Sequence, residues 1–264
     1  VLLVRRKPDG TWDALVRPGR RLRPGATVEV ADDLTVRIEG VEPGSPLRRV
    51  RLLARDVDLE ATLSRRGHVP LPPYIRRPDQ PADRERYQTV YARETGSVAA
   101  PTAGLHFTPA LLEALTARGV ERAEVVLHVG PGTFRPVEVE QVEEHRVDAE
   151  PCTIPREAAE ALARARARGS RVVAVGTTVT RTLESGALAS GEVRAGSSET
   201  ALVIVPGHRF QVVDALVTNF HLPRSSLLLL VAAFAGRELI LAAYAEAVRE
   251  RYRFYSYGDA LLIR

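Results

Sequence analysis

Residues 171–184, Arg-Val-Val-Ala-Val-Gly-Thr-Thr-Val-Thr-Arg-Thr-Leu-Glu, contain the clearest fold signal in this chain. The apolar run before glycine predicts a buried strand over Arg171–Val175, and the residues after it predict a helix around Thr180–Leu188. A strand that leads through a short glycine turn into a helix is typical of α/β folds with parallel strands. The stretch therefore predicts an α/β domain.

The same alternation of helices and strands extends over the chain from residue 105 onward. Thr108 and Pro109 form an N-cap and first helical position, and Gly119 ends that helix. Further helices are predicted over Arg156–Arg168, Arg224–Phe234 and Arg237–Arg251. Further strands are predicted over Glu124–Val129, Ala201–Val205 and Val212–Thr218.

The first 57 residues have a different pattern, in which short strands alternate with Pro-Gly and Asp-Gly turns. The predicted strands are Val1–Arg5, Thr11–Val16, Thr27–Val30, Leu34–Ile38 and Arg49–Leu53. Such spacing favours a small barrel or sandwich. We therefore predict two domains, a small β domain over residues 1–57 and an α/β catalytic domain over residues 58–264.

The composition excludes several classes of protein. The longest apolar run, Leu227–Ala235, is too short for the roughly 20 residues of a membrane-spanning helix. Cys152 is the only cysteine, which excludes disulfides, cysteine-rich zinc sites and iron–sulfur chemistry within this chain. Lys7 is the only lysine, and there is no phosphate-binding loop of the G-x-x-x-x-G-K-[ST] type. The chain begins with valine and shows no signal peptide, so we expect a cytoplasmic protein whose N-terminal part is missing here.

Positive charge is concentrated in the first third of the chain. Residues 1–86 contain 18 Lys/Arg and 13 Asp/Glu, whereas the other 178 residues contain 19 and 20. Arg17, Arg20, Arg21 and Arg23 lie in one turn-rich stretch that would attract a polyanion. The alternative is a solvated surface in an arginine-rich protein.

Polar clusters follow three of the predicted strands. These clusters are His128-Val-Gly-Pro-Gly-Thr-Phe134, Gly176-Thr177-Thr178 and Thr218-Asn219-Phe220-His221. Because ligands in α/β sheets bind beyond the carboxyl ends of the strands, the three clusters predict one pocket. Each cluster also has a structural alternative: a Gly-Pro-Gly turn, a helix cap and a core histidine.

Asn219 and His106 are the most informative single residues. Asn219 is the only asparagine in the chain, and its amide suits the edge of a purine or a ribose, although a turn position is the alternative. His106 follows the small-residue run Gly96–Leu105 and precedes a predicted helix N-terminus, which predicts a neutral imidazole there. The acidic stretch Glu143–Glu150 lacks metal-ligand spacing, so we predict a solvated helix and no metal site.

Seven motifs, in consistent order, resemble the S-adenosylmethionine:tRNA ribosyltransferase-isomerase family of queuosine biosynthesis. They cover the chain from about residue 67 to its end. The motifs are Gly67-His-Val-Pro-Leu-Pro-Pro-Tyr-Ile75, Tyr87-Gln-Thr-Val-Tyr91, Gly96–Thr108, Leu127–Val137, Gly176–Ser185, Thr218-Asn-Phe-His-Leu-Pro223 and Tyr252-Arg-Phe-Tyr-Ser-Tyr-Gly-Asp-Ala260. The family usually has His-x-Met-His-x-Glu where this chain has His145-Arg-Val-Asp-Ala-Glu150, so Asp148 replaces a histidine.

The resemblance implies an α/β main domain with a small inserted β-barrel domain. It also implies a reaction in which the ribosyl unit of S-adenosylmethionine is transferred to 7-aminomethyl-7-deazaguanine at the tRNA wobble position. The ribosyl unit is isomerised, giving epoxyqueuosine, adenine and methionine. S-adenosylmethionine is then a cosubstrate, no prosthetic group is needed, and we expect a monomer.

Site residues follow from these motifs and from the chemistry of the reaction. The catalytic acid/base candidates are His106, His128 and His221. The substrate-binding candidates are Thr102, Gly130, Gly132, Thr133, Phe134, Thr177, Thr178, Arg181, Asn219 and Asp259. The tRNA-binding candidates are Arg17, Arg20, Arg21, Arg23, Arg76 and Arg77. For Arg181 the favoured role is an ion pair with Glu184, one helical turn away, and contact with the substrate is the alternative.

The sequence leaves two alternative functions. A non-catalytic or impaired tRNA-binding homologue would bind tRNA without releasing adenine. A methyltransferase is disfavoured because no G-x-G-x-x-G loop follows a first α/β strand.

Overall fold

A computed structural model describes residues 1–41, 45–55, 58–72, 74–130, 136–187 and 190–264. The chain forms two compact units. The first contains Val1–Gln80 and Thr95–Val98, and the second contains Pro81–Glu94 and Ala99–Arg264. The domain boundary after residue 57 remains a prediction. The first compact unit extends beyond it to Gln80 and also includes Thr95–Val98.

The first unit is built on one antiparallel sheet of five strands in the order β1-β2-β5-β4-β3. The strands are β1 (Leu2–Arg6), β2 (Trp12–Leu15), β3 (Thr27–Ala31), β4 (Leu34–Val41) and β5 (Arg48–Ala54), followed by helix α1 (Leu59–Arg66). Ile38 and Val50 are fully buried in its core, and Leu63 of α1 packs against it. Among the described residues β1 and β3 do not pair with each other, so the predicted closure into a barrel is not confirmed.

The second unit contains two three-stranded sheets and six helices within its described part. Its elements are α2 (Asp83–Arg86), α3 (Pro109–Ala117), β6 (Val126–Leu127), β7 (Glu150–Ile154), α4 (Arg156–Ala167), β8 (Val173–Val175), α5 (Thr177–Gly186), β9 (Gly196–Thr200), β10 (Ala215–Asn219), α6 (Ser226–Ala235), α7 (Arg237–Arg249) and β11 (Ala260–Ile263). One sheet has the order β11-β10-β8 and the other the order β6-β7-β9. The chain is therefore a mixed α/β protein, as predicted.

Parallel pairing is limited to β8 and β10 within the described residues, and the other pairs are antiparallel. The predicted strand Ala201–Val205 is wrong, because the strand in this region is β9, which pairs with β7. Ile204 is buried without belonging to a ladder, so the apolar pattern there reports burial and not strand pairing. In the described residues no single helix has the length and apolarity of a membrane span, and the apolar pair α6 and α7 is bent by 114°.

Candidate active site

The carboxyl ends of β8 and β10 lie side by side. Val175 and Val217 are register partners in the parallel pair, and the Gly176 amide donates to the Val217 carbonyl at 2.8 Å. Gly176 has φ +100°, a conformation that favours glycine, and it lets the chain turn from β8 directly into α5. This turn places Thr177 and Thr178 at the edge of the sheet where Asn219 ends β10.

Asn219 is held by Thr102 and has an unused donor. Thr102 Oγ1 donates to Asn219 Oδ1 at 2.9 Å, across 117 positions of sequence. Asn219 is 3% exposed, and its Nδ2 atom has no hydrogen-bond partner among the described residues. Buried donors without a partner are rare, so this atom is a candidate for contact with a ligand.

His106 lies between two backbone carbonyls. Its Nδ1 is 3.2 Å from the Ala103 carbonyl and its Nε2 is 3.0 Å from the Gly258 carbonyl. A carbonyl only accepts, and a neutral imidazole has one N–H, so the neutral form predicted from the helix terminus satisfies only one of these contacts. The Nε2 contact joins the turn Thr102–His106 to the loop before β11, whereas the Nδ1 contact lies within the turn itself.

His221 is a partly buried residue with two polar neighbours. Its Nε2 is 2.8 Å from Thr218 Oγ1, and its backbone amide donates to the Tyr244 hydroxyl at 2.8 Å. Burial lowers the pKa of His221 from 6.5 to about 4. His221 is therefore neutral at physiological pH. Burial also raises the pKa of Tyr244, so that its hydroxyl keeps its proton.

His128 and Gly130 follow β6, which belongs to the other sheet. They do not share the sheet edge of Asn219, so only two of the three clusters predicted to form one pocket follow strands of the same sheet. The His128 side chain is partly buried and makes no hydrogen bond within the described chain. Gly132, Thr133 and Phe134, which were predicted to bind substrate, lie outside the described residues.

Arg181 ties the start of the His128 loop to helix α5. Its Nη1 donates to Glu150 Oε2 at 2.7 Å, and Gly130 donates its amide to Glu150 Oε1 at 2.9 Å. Arg181 and Glu150 are 8% and 5% exposed, so this is a buried ion pair. The Arg181 Nη2 atom is buried without a hydrogen-bond partner.

The predicted pairing of Arg181 with Glu184 is wrong. Glu184 accepts hydrogen bonds from the backbone amides of residues 211–213, at 2.8–3.1 Å. Buried backbone donors before β10 need acceptors, and this carboxylate supplies them. Glu150 is the partner that the sequence did not reveal: the stretch Glu143–Glu150 was predicted as a solvated helix, but it ends in the buried first residue of β7.

Asp259 is engaged with its own loop. Its two carboxylate oxygens accept from the Arg253 backbone amide at 2.7 Å and from the Arg253 guanidinium at 2.8 Å. These contacts with Arg253 lower the pKa of Asp259. The ribose contact predicted for Asp259 stays a prediction, and in this structure the side chain closes the loop that carries the Gly258 carbonyl.

The arginines predicted to bind tRNA are exposed. This holds for Arg17, Arg20, Arg21, Arg23, Arg76 and Arg77. Arg17, Arg20, Arg21 and Arg23 form no ion pair with any described residue, whereas other arginines of the first unit pair with carboxylates, such as Arg66 with Asp33 at 2.9 Å. The charges of these four arginines without an ion pair are therefore available to an external anion.

A family model described as queuosine biosynthesis protein matches residues 1–263. The chain belongs to this family. It is 56% identical over 264 residues to the S-adenosylmethionine:tRNA ribosyltransferase-isomerase of Moorella thermoacetica, covering 100% of this chain and 76% of that relative. It is 57% identical over 252 residues to the enzyme of the same name from an Anaeromyxobacter species, covering 96% and 72%.

A solved structure of the family is also similar. The crystal structure of S-adenosylmethionine tRNA ribosyltransferase from Thermotoga maritima aligns with a TM-score of 0.52 at 38% identity. The alignment covers 99% of this chain and 73% of that one. The family resemblance drawn from the seven motifs is confirmed.

Two features of the queuosine family motifs acquire a structural explanation. Asp148, which replaces a family histidine, is exposed, so a carboxylate there carries no burial cost, whereas His145 and Glu150 of the same motif are buried. Tyr87 is 4% exposed and packs edge-on against Tyr257, with ring centroids 5.5 Å apart. Tyr87 is therefore a core residue of the second unit.

Tyr91 supports the turn that carries Thr102 and His106. Its hydroxyl packs directly against Gly104, where a Cβ atom would overlap it. Tyr91 also lines an open groove of about 380 Å³, together with Arg93, Arg122 and Glu124. Among the described residues, no three His, Cys, Asp or Glu side chains are grouped to hold a metal ion.

Proposed function

We propose that this protein is an S-adenosylmethionine:tRNA ribosyltransferase-isomerase of queuosine biosynthesis. The observation that carries the proposal is the 56% identity, over the whole chain, to the Moorella thermoacetica enzyme of that name. The proposed reaction transfers the ribosyl unit to 7-aminomethyl-7-deazaguanine at the tRNA wobble position, with isomerisation to the epoxide and release of adenine and methionine.

The chemistry needs a base near a carbon acid. The sulfonium of S-adenosylmethionine acidifies the adjacent C5′ hydrogens and later leaves as a neutral thioether. A base must take the C5′ proton, donors must help adenine to leave, and the aminomethyl group must attack as the neutral amine. Groups in a site shielded from water suit these tasks.

The three candidate histidines differ in their fitness as this base. Both ring nitrogens of His106 already face carbonyls, and His221 has a pKa of about 4, far below the operating pH. His128 has both ring nitrogens free of hydrogen bonds to the described residues. We assign the base role to His128, a neutral hydrogen-bonding role to His221, and a positioning role to His106.

The adenosyl group is proposed to bind at the edge formed by β8 and β10. Asn219 supplies an unpartnered donor there, and Thr177 and Thr178 begin α5, whose first amides have no side-chain cap. Amides at a helix N-terminus attract partial negative charge. Arg181, with its unused Nη2, is proposed to contact an anionic group of the substrate.

The tRNA is proposed to be held through its phosphates by the exposed arginines of the first unit. We also propose that this unit is the inserted barrel of the family, since register shifts in three of its strand pairs favour the curvature that closure needs. A monomeric, cytoplasmic enzyme without a prosthetic group completes the proposal.

The decisive assay is tRNA-dependent release of adenine from S-adenosylmethionine, using tRNA that carries the 7-aminomethyl-7-deazaguanine base. Release confirms the enzyme. Binding of the tRNA without release would instead indicate a non-catalytic homologue. Within an active enzyme, His128→Ala should lower kcat by about 100-fold or more, because general base catalysis contributes about 10²–10⁴. A loss below about 10-fold would remove His128 from the base role.

Phosphate contacts make tRNA binding depend on salt. Arg20→Gln with Arg21→Gln should reduce the slope of log K against log[salt] by about 1.4–1.8, since each phosphate contact contributes about 0.7–0.9. Arg156→Gln is the matched control, because that exposed arginine of the second unit is already paired with Glu160. An unchanged slope in the double variant would contradict the proposed tRNA surface.

A further inference from the structure

We propose that Thr102 is a positioning residue that fixes the Asn219 amide with its nitrogen toward the ligand, so that this site recognises a hydrogen-bond acceptor of the adenosyl group. The inference rests on the proposed function, in which S-adenosylmethionine is the cosubstrate. Thr102 orients the side chain of Asn219, and the Asn219 amide only donates hydrogen bonds to the ligand.

The hydrogen-bond inventory of the pair supports this orientation. Thr102 Oγ1 lies 2.9 Å from Asn219 Oδ1, and an amide oxygen only accepts, so the hydroxyl proton points to Asn219. The amide nitrogen of Asn219 carries two protons and meets no acceptor among the described residues. At 3% exposure, Asn219 has little access to bulk water that would satisfy these donors. A ligand acceptor is the missing partner that the arrangement requires.

The position of Asn219 favours a small ligand with nucleoside character. Asn219 is the last residue of β10, next to the end of β8 and the start of α5. Clefts beyond the carboxyl ends of parallel strands are where nucleotide-like ligands bind in α/β sheets. The adenosyl group offers purine ring nitrogens and ribose oxygens as acceptors.

Thr102 is well placed to hold this orientation because its own turn is held at two points. The turn Thr102–His106 is joined to the Gly258 carbonyl by His106, and Gly104 packs on Tyr91. A hydroxyl on a fixed turn selects one of the two orientations of the Asn219 amide, which differ by exchange of its oxygen and nitrogen. Without it, the amide has no protein group that distinguishes its oxygen from its nitrogen within the described residues.

Asn219→Asp separates the two possible orientations. If the nitrogen faces the ligand, aspartate replaces a donor with an acceptor and faces a ligand acceptor, which weakens binding. If the oxygen faces the ligand, aspartate keeps an acceptor there and is tolerated. Thr102→Val keeps the shape but removes the hydroxyl, and Thr102→Ser restores it.

The experiment measures S-adenosylmethionine binding by calorimetry without tRNA, and the KM values for both substrates in the adenine-release assay. Asn219→Asp should raise the Kd and KM for S-adenosylmethionine about 10- to 100-fold and leave the KM for tRNA unchanged, as expected for a lost buried donor. Thr102→Val should raise them less, by about 3- to 10-fold, with recovery in Thr102→Ser. Thr116→Val, on the exposed face of α3, is the matched control with wild-type values.

Wild-type values for Asn219→Asp would overturn the proposal, and so would a change confined to the KM for tRNA. If Thr102→Ser does not recover the affinity for S-adenosylmethionine that Thr102→Val loses, the Thr102 hydroxyl does not orient Asn219. Far-ultraviolet circular dichroism identifies a variant that does not fold. If Asn219→Asp does not fold, the comparison of Thr102→Val with Thr102→Ser, in which Asn219 is intact, tests the proposal. If the wild-type protein releases no adenine, the proposed function fails, while the calorimetric comparison still tests the donor orientation.

Discussion

Acidification from about pH 8 to about pH 5 should destabilise the folded protein by about 2 kcal/mol through His221 alone. The residue is partly buried in the second unit, and its Nε2 is 2.8 Å from Thr218 Oγ1. Burial lowers its pKa from 6.5 to about 4 in the folded state. In the unfolded chain the imidazole is solvated and has its ordinary value.

The sign follows from proton binding. Between about pH 6.5 and pH 4 the unfolded state binds a proton at His221 that the folded state does not bind. The free energy of unfolding is therefore unaffected above this range and falls as the pH falls through it. One pKa unit corresponds to about 1.36 kcal/mol, which gives about 3 kcal/mol in full and about 2 kcal/mol at pH 5.

Urea unfolding followed by far-ultraviolet circular dichroism measures this effect in the right part of the molecule. Helices α3–α7 all lie in the second unit, whereas the only tryptophan, Trp12, lies in the first. His221→Gln should lose about 2 kcal/mol of the wild-type difference between pH 8 and pH 5. Thr218→Val should keep that difference, because burial and not the threonine contact lowers the pKa. Parallel pH profiles for the wild type and His221→Gln would refute the reasoning.

Two further substitutions test the packing of the second unit. Glu150→Ala should destabilise by about 3–5 kcal/mol, because it leaves the Arg181 guanidinium buried without its carboxylate, and thermal unfolding measures the loss. A melting temperature equal to that of the wild type would show that water reaches the site. Gly104→Ala should destabilise the protein by about 1–3 kcal/mol, because the new Cβ atom overlaps the Tyr91 hydroxyl. An unchanged urea midpoint would contradict this prediction. Gly119→Ala is not a suitable control, because the φ of Gly119 is +77°.

Local signals in the sequence predicted most of the elements. Thr108 and Pro109 were predicted to begin a helix, and α3 begins at Pro109 with the Thr108 side chain accepting from the Leu111 amide at 3.2 Å. These signals act within one turn of the chain, and a single sequence contains them. Strand β7 was missed because its first residue is an acid, Glu150, whose burial depends on Arg181 of another element.

The candidate site shows the same division between local and distant causes. Asn219 and Thr102 were each predicted from a motif, but 117 positions separate them and no pattern in one sequence predicts their hydrogen bond. The neutral form predicted for His106 depends only on its neighbours along the chain, which begin a helix. The Gly258 carbonyl, 152 positions away, also determines what this side chain does.

Helix α5 explains how a site can draw on both sheets of the second unit. Its first residues, Thr177 and Thr178, lie at the edge shared by β8 and β10, and one turn later Arg181 pairs with Glu150 of β7. Glu150 in turn holds the amide of Gly130, just beyond His128. The segment that carries the proposed base is thus positioned by a buried ion pair on the helix whose N-terminus faces the proposed adenosyl site. The motifs can therefore contribute to one site although the strands that they follow belong to two different sheets.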